Sequence, residues 1–391
     1  MIDYNSVLSK TVVDLKKSGI RKFFDLLNDP SMKDVVGLTV GQPDFVTPWH
    51  IREAGIESLQ KGKTYYTGNA GTPKLRQEIS RYLKRRFGLS YAPEQTIVTV
   101  GGSEAIDLAI RAVVEPGDEV IIPTPSFVCY DPIVRMMQGV PVIVETKFEE
   151  KFKLTPAALK AAITPRTKML VLPFPNNPTG AILTREELEE LAAILRDSNI
   201  VILADEIYAE MTYGRNHTSI AAIEGMQERT IIVNGFSKAY AMTGWRLGFL
   251  AAPMPITEQM LKIHQYAIMC SPTTSQLAAV EALRNGDDDI KMMVEEYDRR
   301  RRYIYEGLLR IGIDSFEPEG AFYIYPDIRK FGLSSEEFCN RLLYEQRCAI
   351  VPGTAFGESG EGFARISYAY SVKHITEALA RMEKFVRSLQ K

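Results

Sequence analysis

The sequence contains little cysteine and little histidine, and neither residue type forms a recognisable ligand pattern. The four cysteines lie at positions 129, 270, 339 and 348, and the four histidines at 50, 217, 264 and 374. Cysteines this sparse and scattered exclude a disulfide framework, and the spacing predicts no metal site. The sequence therefore favours a reducing cytoplasm as the compartment.

Two further absences narrow the class of protein. The 391 residues carry 47 Lys and Arg against 49 Asp and Glu, so the chain lacks the basic excess of a nucleic-acid or membrane-surface binder. Its more apolar stretches, such as 169–174 and 249–256, fall far short of the roughly 20 residues that span a bilayer, and the N-terminus has no signal-peptide core. A hydrophobic fraction of 45% excludes a disordered chain. We therefore expect a globular protein of two or three domains.

The middle of the chain alternates short apolar runs with amphipathic helical patterns. This alternation predicts an α/β fold with a mostly parallel sheet of about seven strands and helices on both faces. One predicted helix, 185–197, opens with Thr184 and Glu187 at capping-box spacing. The predicted strands are 96–100, 119–122, 141–144, 168–172, 200–204, 231–233 and 247–251.

The C-terminal third changes character. A long charged helix is predicted near 288–309, and its arginines at 299–302 are expected to form a solvated face. Strand-like runs and a final helix follow, which predicts a second, smaller α/β domain. We expect the first forty-odd residues, which have no sheet of their own, to pack on it. The strand-like runs are 321–325, 349–351 and 363–369.

The strongest candidate for chemistry is the segment 234–248, which follows a predicted strand. Open parallel sheets bind their ligands at the carboxyl ends of the strands. In this segment Lys238 could act as a nucleophile toward aldehydes, since burial and a nearby cation lower the pKa of a lysine. Ser237 and Arg246 are suited to bind a phosphate. The alternative is a surface loop with a solvated lysine.

A second predicted strand, 200–204, is followed directly by an aspartate. Asp205 could face a ring nitrogen and keep it protonated, because buried carboxylates are rare unless they are paired. Tyr208, three residues further on, could donate to a ring oxygen. An ordinary helix cap or strand-end aspartate is the alternative interpretation of Asp205.

Four smaller features lie at the ends of other predicted elements. Gly102 and Ser103 open a helix after a strand, and such a turn binds anions or is a plain tight turn. Asn177 precedes Pro178, which biases its backbone toward an extended conformation. Phe127 could stack on a flat ring or fill the core. Arg365 is a charge within a strand pattern, and a substrate carboxylate is one possible partner.

Taken together, the order and spacing of these residues resemble the class I/II aminotransferases of the fold-type-I pyridoxal-phosphate enzymes. The resemblance covers essentially the whole chain, from Ser18–Phe24 and Gly41-Gln-Pro-Asp-Phe45 through 65–76 to Gly320-Ala-Phe-Tyr-Ile and Phe363-Ala-Arg365. It is similar in particular to the branch of aromatic-amino-acid and N-acetyl-diaminopimelate aminotransferases. The fold it implies has a large cofactor-binding domain, residues 45–285, and a small domain made of residues 1–44 and 286–391.

The resemblance also implies roles for the residues around the pyridoxal 5'-phosphate ring. Lys238 would hold the cofactor as a Schiff base and then move a proton between the substrate α-carbon and the aldehyde carbon of the cofactor. Asp205 would pair with the pyridinium nitrogen. Tyr208 and Asn177 would hydrogen-bond the phenolic oxygen, and Phe127 would stack on the ring.

The remaining implied roles concern the phosphate and the substrate. The backbone around Gly102, Ser103 and Glu104, with Ser237 and Arg246, would bind the phosphate. Tyr66 would reach the phosphate of a neighbouring subunit, which implies a homodimer with shared sites. Arg365 would clamp the α-carboxylate of the substrate, helped by Asn177 and the backbone of Gly41.

The implied activity is transfer of an α-amino group, from an aromatic amino acid in preference, to a 2-oxo acid such as 2-oxoglutarate. No arginine for a distal carboxylate is evident in 271–275, although Arg21 could serve 2-oxoglutarate. Aspartate and N-acetyl-diaminopimelate remain alternative donors. A pyridoxal-phosphate carbon–sulfur lyase is a further alternative on the same fold. A regulator of this fold is disfavoured, since the forty residues before Gly41 show no helix-turn-helix pattern.

Overall fold

The structure is a computed structural model that describes residues 2–17, 19, 32 and 34–389. Among these residues, no helix combines the length and the apolar character needed to cross a bilayer. The strands are β1 (Val36–Gly37), β2 (Thr96–Thr99), β3 (Glu119–Thr124), β4 (Val140–Glu145), β5 (Thr167–Leu172), β6 (Val201–Asp205), β7 (Thr230–Gly235), β8 (Gly248–Ala251), β9 (Tyr323–Ile324), β10 (Cys348–Ala349), β11 (Val351–Pro352) and β12 (Ala364–Ser367).

The helices alternate with the strands through the middle of the chain and dominate its end. They are α1 (Tyr4–Val7), α2 (Lys10–Val13), α3 (Trp49–Gln60), α4 (Pro73–Phe87), α5 (Gly101–Val113), α6 (Tyr130–Met136), α7 (Pro156–Ala162), α8 (Arg185–Leu195), α9 (Phe236–Ala239), α10 (Met254–Ala267), α11 (Thr273–Asn285), α12 (Asp287–Arg310), α13 (Ser335–Gln346) and α14 (Val372–Leu389).

The central sheet confirms the predicted mostly parallel arrangement. Its seven strands run in the order β2-β8-β7-β6-β5-β3-β4, and β8 alone is antiparallel to its neighbours. The strand β5 shows why helices cover both faces, because side chains alternate across a strand. Leu170 packs in one apolar cluster with α8, whereas Met169 and Val171 pack in the opposite cluster with α5.

The predicted cap of α8 is present. The Thr184 hydroxyl accepts from the Glu187 amide at 3.3 Å, and the Glu187 carboxylate accepts from the Thr184 amide at 2.8 Å. Each side chain therefore satisfies an amide that the first turn leaves without a helical partner.

The C-terminal third builds two small sheets. Strands β11, β12 and β9 form an antiparallel sheet, whereas β1 pairs in parallel with β10. The predicted strand 349–351 is thus two short strands that belong to different sheets. The first forty-odd residues were expected to have no sheet of their own and to pack on the small domain. The described part of this segment contributes one strand, β1, which pairs with β10 of the C-terminal third.

The expectation of a solvated arginine face on α12 is wrong for two of its four residues. Arg299 and Arg302 are exposed, but the side chains of Arg300 and Arg301 are only 7% and 11% exposed. Both are accommodated because each forms ion pairs with carboxylates. Nothing in the sequence distinguishes the two largely buried arginines, Arg300 and Arg301, from the two exposed ones.

Candidate active site

A cavity of about 350 Å³ opens at the carboxyl ends of the parallel strands. Strands β2, β3, β5, β6 and β7 all end at this edge, so the loops that follow them meet there. The residues that line the cavity are Val40, Gly41, Gln42, Gly102, Ser103, Ile106, Phe127, Tyr130, Pro173, Pro175, Asn177, Asp205, Ile207, Tyr208, Ser237, Lys238, Thr243, Arg246, Tyr323 and Arg365.

Lys238 reaches this cavity from the short helix α9, which begins directly after β7. Its Nζ donates to the carbonyl oxygen of Gly41 at 2.6 Å. Burial, together with the positive charges of Arg365 and Arg246 and against the attraction of Asp205, lowers the pKa of the amine to about 8. A substantial fraction of the amine is therefore neutral, and so nucleophilic, just above neutral pH.

Asp205 is the carboxylate of the cavity. It ends β6, is 7% exposed, and accepts from the Tyr130 hydroxyl at 2.6 Å and from the Ile207 amide at 3.2 Å. Burial raises the pKa of Asp205, and these two hydrogen bonds oppose that rise because they favour the ionised form. Asp205 is thus a buried, oriented carboxylate rather than a helix cap.

Two tyrosine hydroxyls meet beside Lys238. The Tyr208 hydroxyl lies 2.7 Å from the Tyr323 hydroxyl, and both side chains are buried. Burial raises the pKa of both phenols, so both stay protonated and able to donate. The pair offers hydrogen-bond donors to a polar group placed in the cavity.

The opposite end of the cavity is suited to an anion. The helix α5 begins at Gly101, and the amides of its first turn have no helical acceptor. Gly101 has a φ of +77°, and a Cβ there would lie 2.8 Å from the Arg246 guanidinium. A Cβ at Gly248 would lie 2.7 Å from the backbone of Gly101. The two glycines therefore let Arg246 approach the helix N-terminus closely.

Arg365, on β12, contributes the third cation. Its Nη1 donates to Asn177 Oδ1 at 3.0 Å and its Nη2 to the carbonyl oxygen of Thr39 at 2.5 Å, whereas its buried Nε has no protein partner. The guanidinium lies 4.6 Å from the ring centroid of Tyr323 and 4.8 Å from that of Phe356. Such a fixed, planar fork is suited to a carboxylate.

Most of the residues selected from the sequence line this one cavity. Two do not: Tyr66 is 78% exposed outside it, and the Glu104 side chain turns to His264 Nδ1 at 2.7 Å. Gly19 is the one described residue of the Ser18–Phe24 motif, and Arg21 lies outside the described residues.

Sequence reasoning missed Tyr130 and Tyr323 as site residues. Tyr323 lies within the motif Gly320-Ala-Phe-Tyr-Ile that carried the family resemblance, and that place was the available signal. Tyr130 lies three residues after Phe127, but no spacing rule links it to Asp205, 75 positions away.

The donor set fits pyridoxal 5'-phosphate. A guanidinium and free helix amides suit a phosphate at one end, a buried carboxylate suits a ring nitrogen, and a lysine of lowered pKa suits an aldehyde. The missing side chain at Gly101 lets Arg246 lie close to the first turn of α5, where a phosphate would bind. The unpartnered Nε of Arg365 further indicates that this guanidinium retains donor capacity for a ligand.

Comparison with known proteins agrees with this chemistry. The family model described as "Aminotransferase class I and II" matches residues 33–382. YugH of Bacillus subtilis, whose name describes it only provisionally as an aminotransferase, is 53% identical over 97% of this chain and 98% of its own. A second B. subtilis protein, provisionally named an N-acetyl-LL-diaminopimelate aminotransferase, is 45% identical over 97% and 96%.

Solved structures give the same result. An aromatic aminotransferase from Pyrococcus horikoshii superposes with a TM-score of 0.90 at 42% identity, over 95% of this chain and 99% of that one. The aspartate aminotransferase from Thermus thermophilus with maleate superposes with a TM-score of 0.92 at 40% identity, over 96% and 99%. These names differ in substrate, so the likeness alone does not select one.

The lowered pKa of Lys238 can be measured directly. In cofactor-free protein, labelling of Lys238 by acetic anhydride, followed by peptide mass spectrometry, should rise with pH through a midpoint of about 8. Arg365→Met removes the largest nearby positive charge, so this midpoint should move upward. The exposed Lys262 in the same digests is the internal reference. A wild-type midpoint near the ordinary lysine value of about 10.4 would contradict the electrostatic account of the site.

Proposed function

The chain belongs to the aminotransferase class I and II family, whose members are pyridoxal-phosphate-dependent transaminases, and we propose that it transfers the α-amino group of an aromatic amino acid to a 2-oxo acid such as 2-oxoglutarate. The observation that carries this proposal is the cavity in which Lys238, Asp205 and Arg365 meet. Pyridoxal 5'-phosphate, when bound, supplies an aldehyde that exchanges amines and a protonated ring that withdraws electrons.

Lys238 is proposed as the residue that moves the proton. Its Nζ has a pKa of about 8, so the neutral amine is available at little cost near neutral pH. That amine would take a proton from the α-carbon of the bound amino acid and return it to the aldehyde carbon of the cofactor. Its hydrogen bond to the Gly41 carbonyl fixes the starting position of Nζ.

Asp205 and Tyr208 are proposed to hold the ring. The carboxylate of Asp205, whose ionised form is favoured by the hydrogen bonds from Tyr130 and the Ile207 amide, would hold a proton on the ring nitrogen. The Tyr208 hydroxyl, with Asn177, would donate to the phenolic oxygen. Phe127 would cover one face of the ring.

The phosphate would bind at the N-terminus of α5. Backbone amides of Gly102, Ser103 and Glu104 point along the helix axis there, where the helix dipole favours an anion. Arg246 and Ser237 line the same end of the cavity and would complete the site.

Arg365 is proposed as the clamp for the substrate α-carboxylate. It would act with Asn177, already 3.0 Å from its Nη1, and with the backbone of Gly41. In the proposed division of the chain, Arg365 belongs to the small domain (1–44 and 286–391) and Lys238 to the large one (45–285). A bound amino acid would therefore link the two domains.

An aromatic donor is favoured by the charges of the cavity. Among its described lining residues the cationic side chains are Lys238, Arg246 and Arg365, and each already has a proposed role. The described lining thus offers no further cation to a distal carboxylate, whereas Val40 and Ile207 offer apolar contacts. Aspartate and N-acetyl-LL-diaminopimelate are the alternative donors that the relatives' names suggest.

The enzyme is further proposed to be a homodimer in which Tyr66 binds the phosphate of the neighbouring subunit. Tyr66 lies within an exposed apolar surface, and patches of this kind mark interaction sites. The surface adjoins the phosphate end of the cavity, because Trp245 beside Arg246 packs against Gly55 of α3. Its large exposed side chains are Trp49, Ile56, Leu59, Tyr65, Tyr66, Tyr266, Ile268 and Met269.

The function is tested by adding single amino acids to the cofactor-loaded protein. Phenylalanine and tyrosine should convert the bound cofactor from its pyridoxal to its pyridoxamine absorbance, and 2-oxoglutarate should reverse the change. Lys238→Ala should abolish this conversion, while Lys262→Ala, at an exposed position, should leave it intact. Aspartate or N-acetyl-LL-diaminopimelate reacting faster would reassign the donor. Release of pyruvate from cystathionine without an acceptor would instead indicate a lyase.

Replacement of the carboxylate clamp should separate binding from chemistry. Arg365→Lys keeps one charge but loses the planar fork, so KM for the amino donor should rise at least about tenfold. Retention of the cofactor, measured by absorbance after gel filtration, should be unchanged. Arg341→Lys, at a partly exposed residue that pairs with Glu345, is the matched control. Wild-type KM in Arg365→Lys would remove the clamp role.

Shared sites predict complementation between inactive subunits. Lys238→Ala and Tyr66→Ala each impair every site of their own dimers when cofactor is limiting. A mixed dimer has one intact site, so equal mixing should restore about a quarter of the wild-type sites. The measurement is activity before and after exchange of subunits in mild denaturant. No gain over the unmixed variants would contradict a site built from two subunits.

A further inference from the structure

The segment 39–45, here called the Gly41 loop, supplies backbone acceptors to two cations of the cavity. The Gly41 carbonyl accepts from Lys238 Nζ at 2.6 Å, and the Thr39 carbonyl accepts from Arg365 Nη2 at 2.5 Å. Gly41 and Gln42 also line the cavity. A displacement of this loop would therefore move the hydrogen-bond acceptors of Lys238 and Arg365, the two residues that we propose to act on the substrate.

The outer end of the loop is held by Arg300, a residue of α12 that does not line the cavity. Arg300 Nη1 donates to both carboxylate oxygens of Asp44, at 2.8 and 2.9 Å, while its Nε donates to Glu296 at 2.8 Å. The guanidinium also lies over the rings of Phe45 and Tyr297, 5.4 and 5.6 Å from their centroids. Arg300 thus contacts the loop through charge, hydrogen bonds and stacking at once.

The loop transmits this constraint because it is short and stiff. Pro43 has a fixed φ and restricts the backbone of Gln42 before it. At Gly41 the backbone is pressed close to Tyr323, since a Cβ there would lie 2.5 Å from the Tyr323 hydroxyl. With few free torsions between Asp44 and Gly41, the position of one end constrains the other.

The cost of this arrangement indicates a purpose beyond stability. Burying an arginine carries a desolvation penalty that its ion pairs only offset, and a packed apolar side chain over Phe45 and Tyr297 would stabilise the fold as well. What an apolar side chain lacks is the directional hold of charge-assisted hydrogen bonds. Here those hydrogen bonds are made to Asp44, which belongs to the Gly41 loop.

We propose that Arg300 is a positioning residue of the active site: by holding Asp44 it sets the Gly41 backbone where Lys238 and the α-carboxylate of the amino acid engage it. The part concerning the amino acid rests on the proposed function. The role belongs to Arg300 and Asp44 as a pair. Arg299, one residue earlier, is exposed and pairs with Glu296 on its own helix, so it does not share that role.

Steady-state kinetics of Arg300→Met test the proposal, with Arg299→Met as the matched control. Without the bond from Arg300 to Asp44, the Gly41 backbone is no longer fixed where the α-carboxylate of the substrate binds. KM for donor and acceptor should therefore rise about tenfold, while kcat should change less than about threefold. Arg300→Lys, which keeps the charge, should recover part of the loss. Asp44→Asn should raise KM similarly, and adding it to Arg300→Met should change little more, since both remove one interaction.

Hydrogen exchange supplies a readout that does not depend on activity. In the cofactor-loaded protein, backbone amides of 38–46 should exchange faster in Arg300→Met and in Asp44→Asn, but not in Arg299→Met. Wild-type KM and wild-type exchange in a folded Arg300→Met protein would overturn the proposal, and so would a lowered melting temperature with wild-type KM. If Arg300→Met fails to fold, Arg300→Lys and Asp44→Asn decide by the same criteria. If no donor is transaminated, the proposed function fails, and the exchange measurement alone decides whether Arg300 holds the loop.

Discussion

The site depends on three cationic side chains, which share a cavity of about 350 Å³ with one carboxylate among its described lining residues. Burial, together with the positive charges of Arg365 and Arg246, keeps the pKa of Lys238 near 8. The unfolded chain would bind a proton on this lysine up to about its ordinary pKa. The folded protein therefore gains stability from this group as pH rises from about 8 toward 10.5, and forgoes it at neutral pH.

Several neighbouring groups orient these side chains or offer them an opposite charge. Tyr130 orients the carboxylate of Asp205, the first turn of α5 offers amides to an anion, and the rings of Tyr323 and Phe356 lie against Arg365. A doubly charged phosphate would relieve the repulsion at Arg246, and a carboxylate would relieve it at Arg365. Ligand binding would therefore also stabilise the fold, because it would reduce the repulsion among these positive charges.

The sequence predicted the central sheet well because buried parallel strands are uniformly apolar and each is followed by a helix. It singled out Asp205 and Arg365 as candidates because a charge at the end of, or within, an apolar strand is costly unless it is paired. Lys238 was a candidate because it follows a strand end and lies near Arg246 in the sequence. The role of Tyr66 came only from family resemblance, whereas Phe127 was expected from the residues either to stack on a ring or to fill the core. The buried state of Arg300, the split of 349–351 and the strand at 36–37 were not predictable, since each depends on contacts between segments far apart in the chain. Four consecutive arginines look alike in sequence, and contacts with other segments distinguish the largely buried pair, Arg300 through Asp44 and Arg301 through Glu317.

The antiparallel direction of β8 has its own consequence. A parallel neighbour of β7 would require a crossover of a dozen or more residues passing away from the cavity. Because β7 and β8 are instead adjacent and antiparallel, the chain between Gly235 and Gly248 turns back at the cavity edge with Lys238 and Arg246 on it. The lysine proposed to act on the substrate and the arginine proposed to bind the phosphate thus lie on one short connection between adjacent strands. An insertion in this connection would change the distance between two charges that both line the cavity, whereas an insertion in another loop at this edge would leave that distance unchanged.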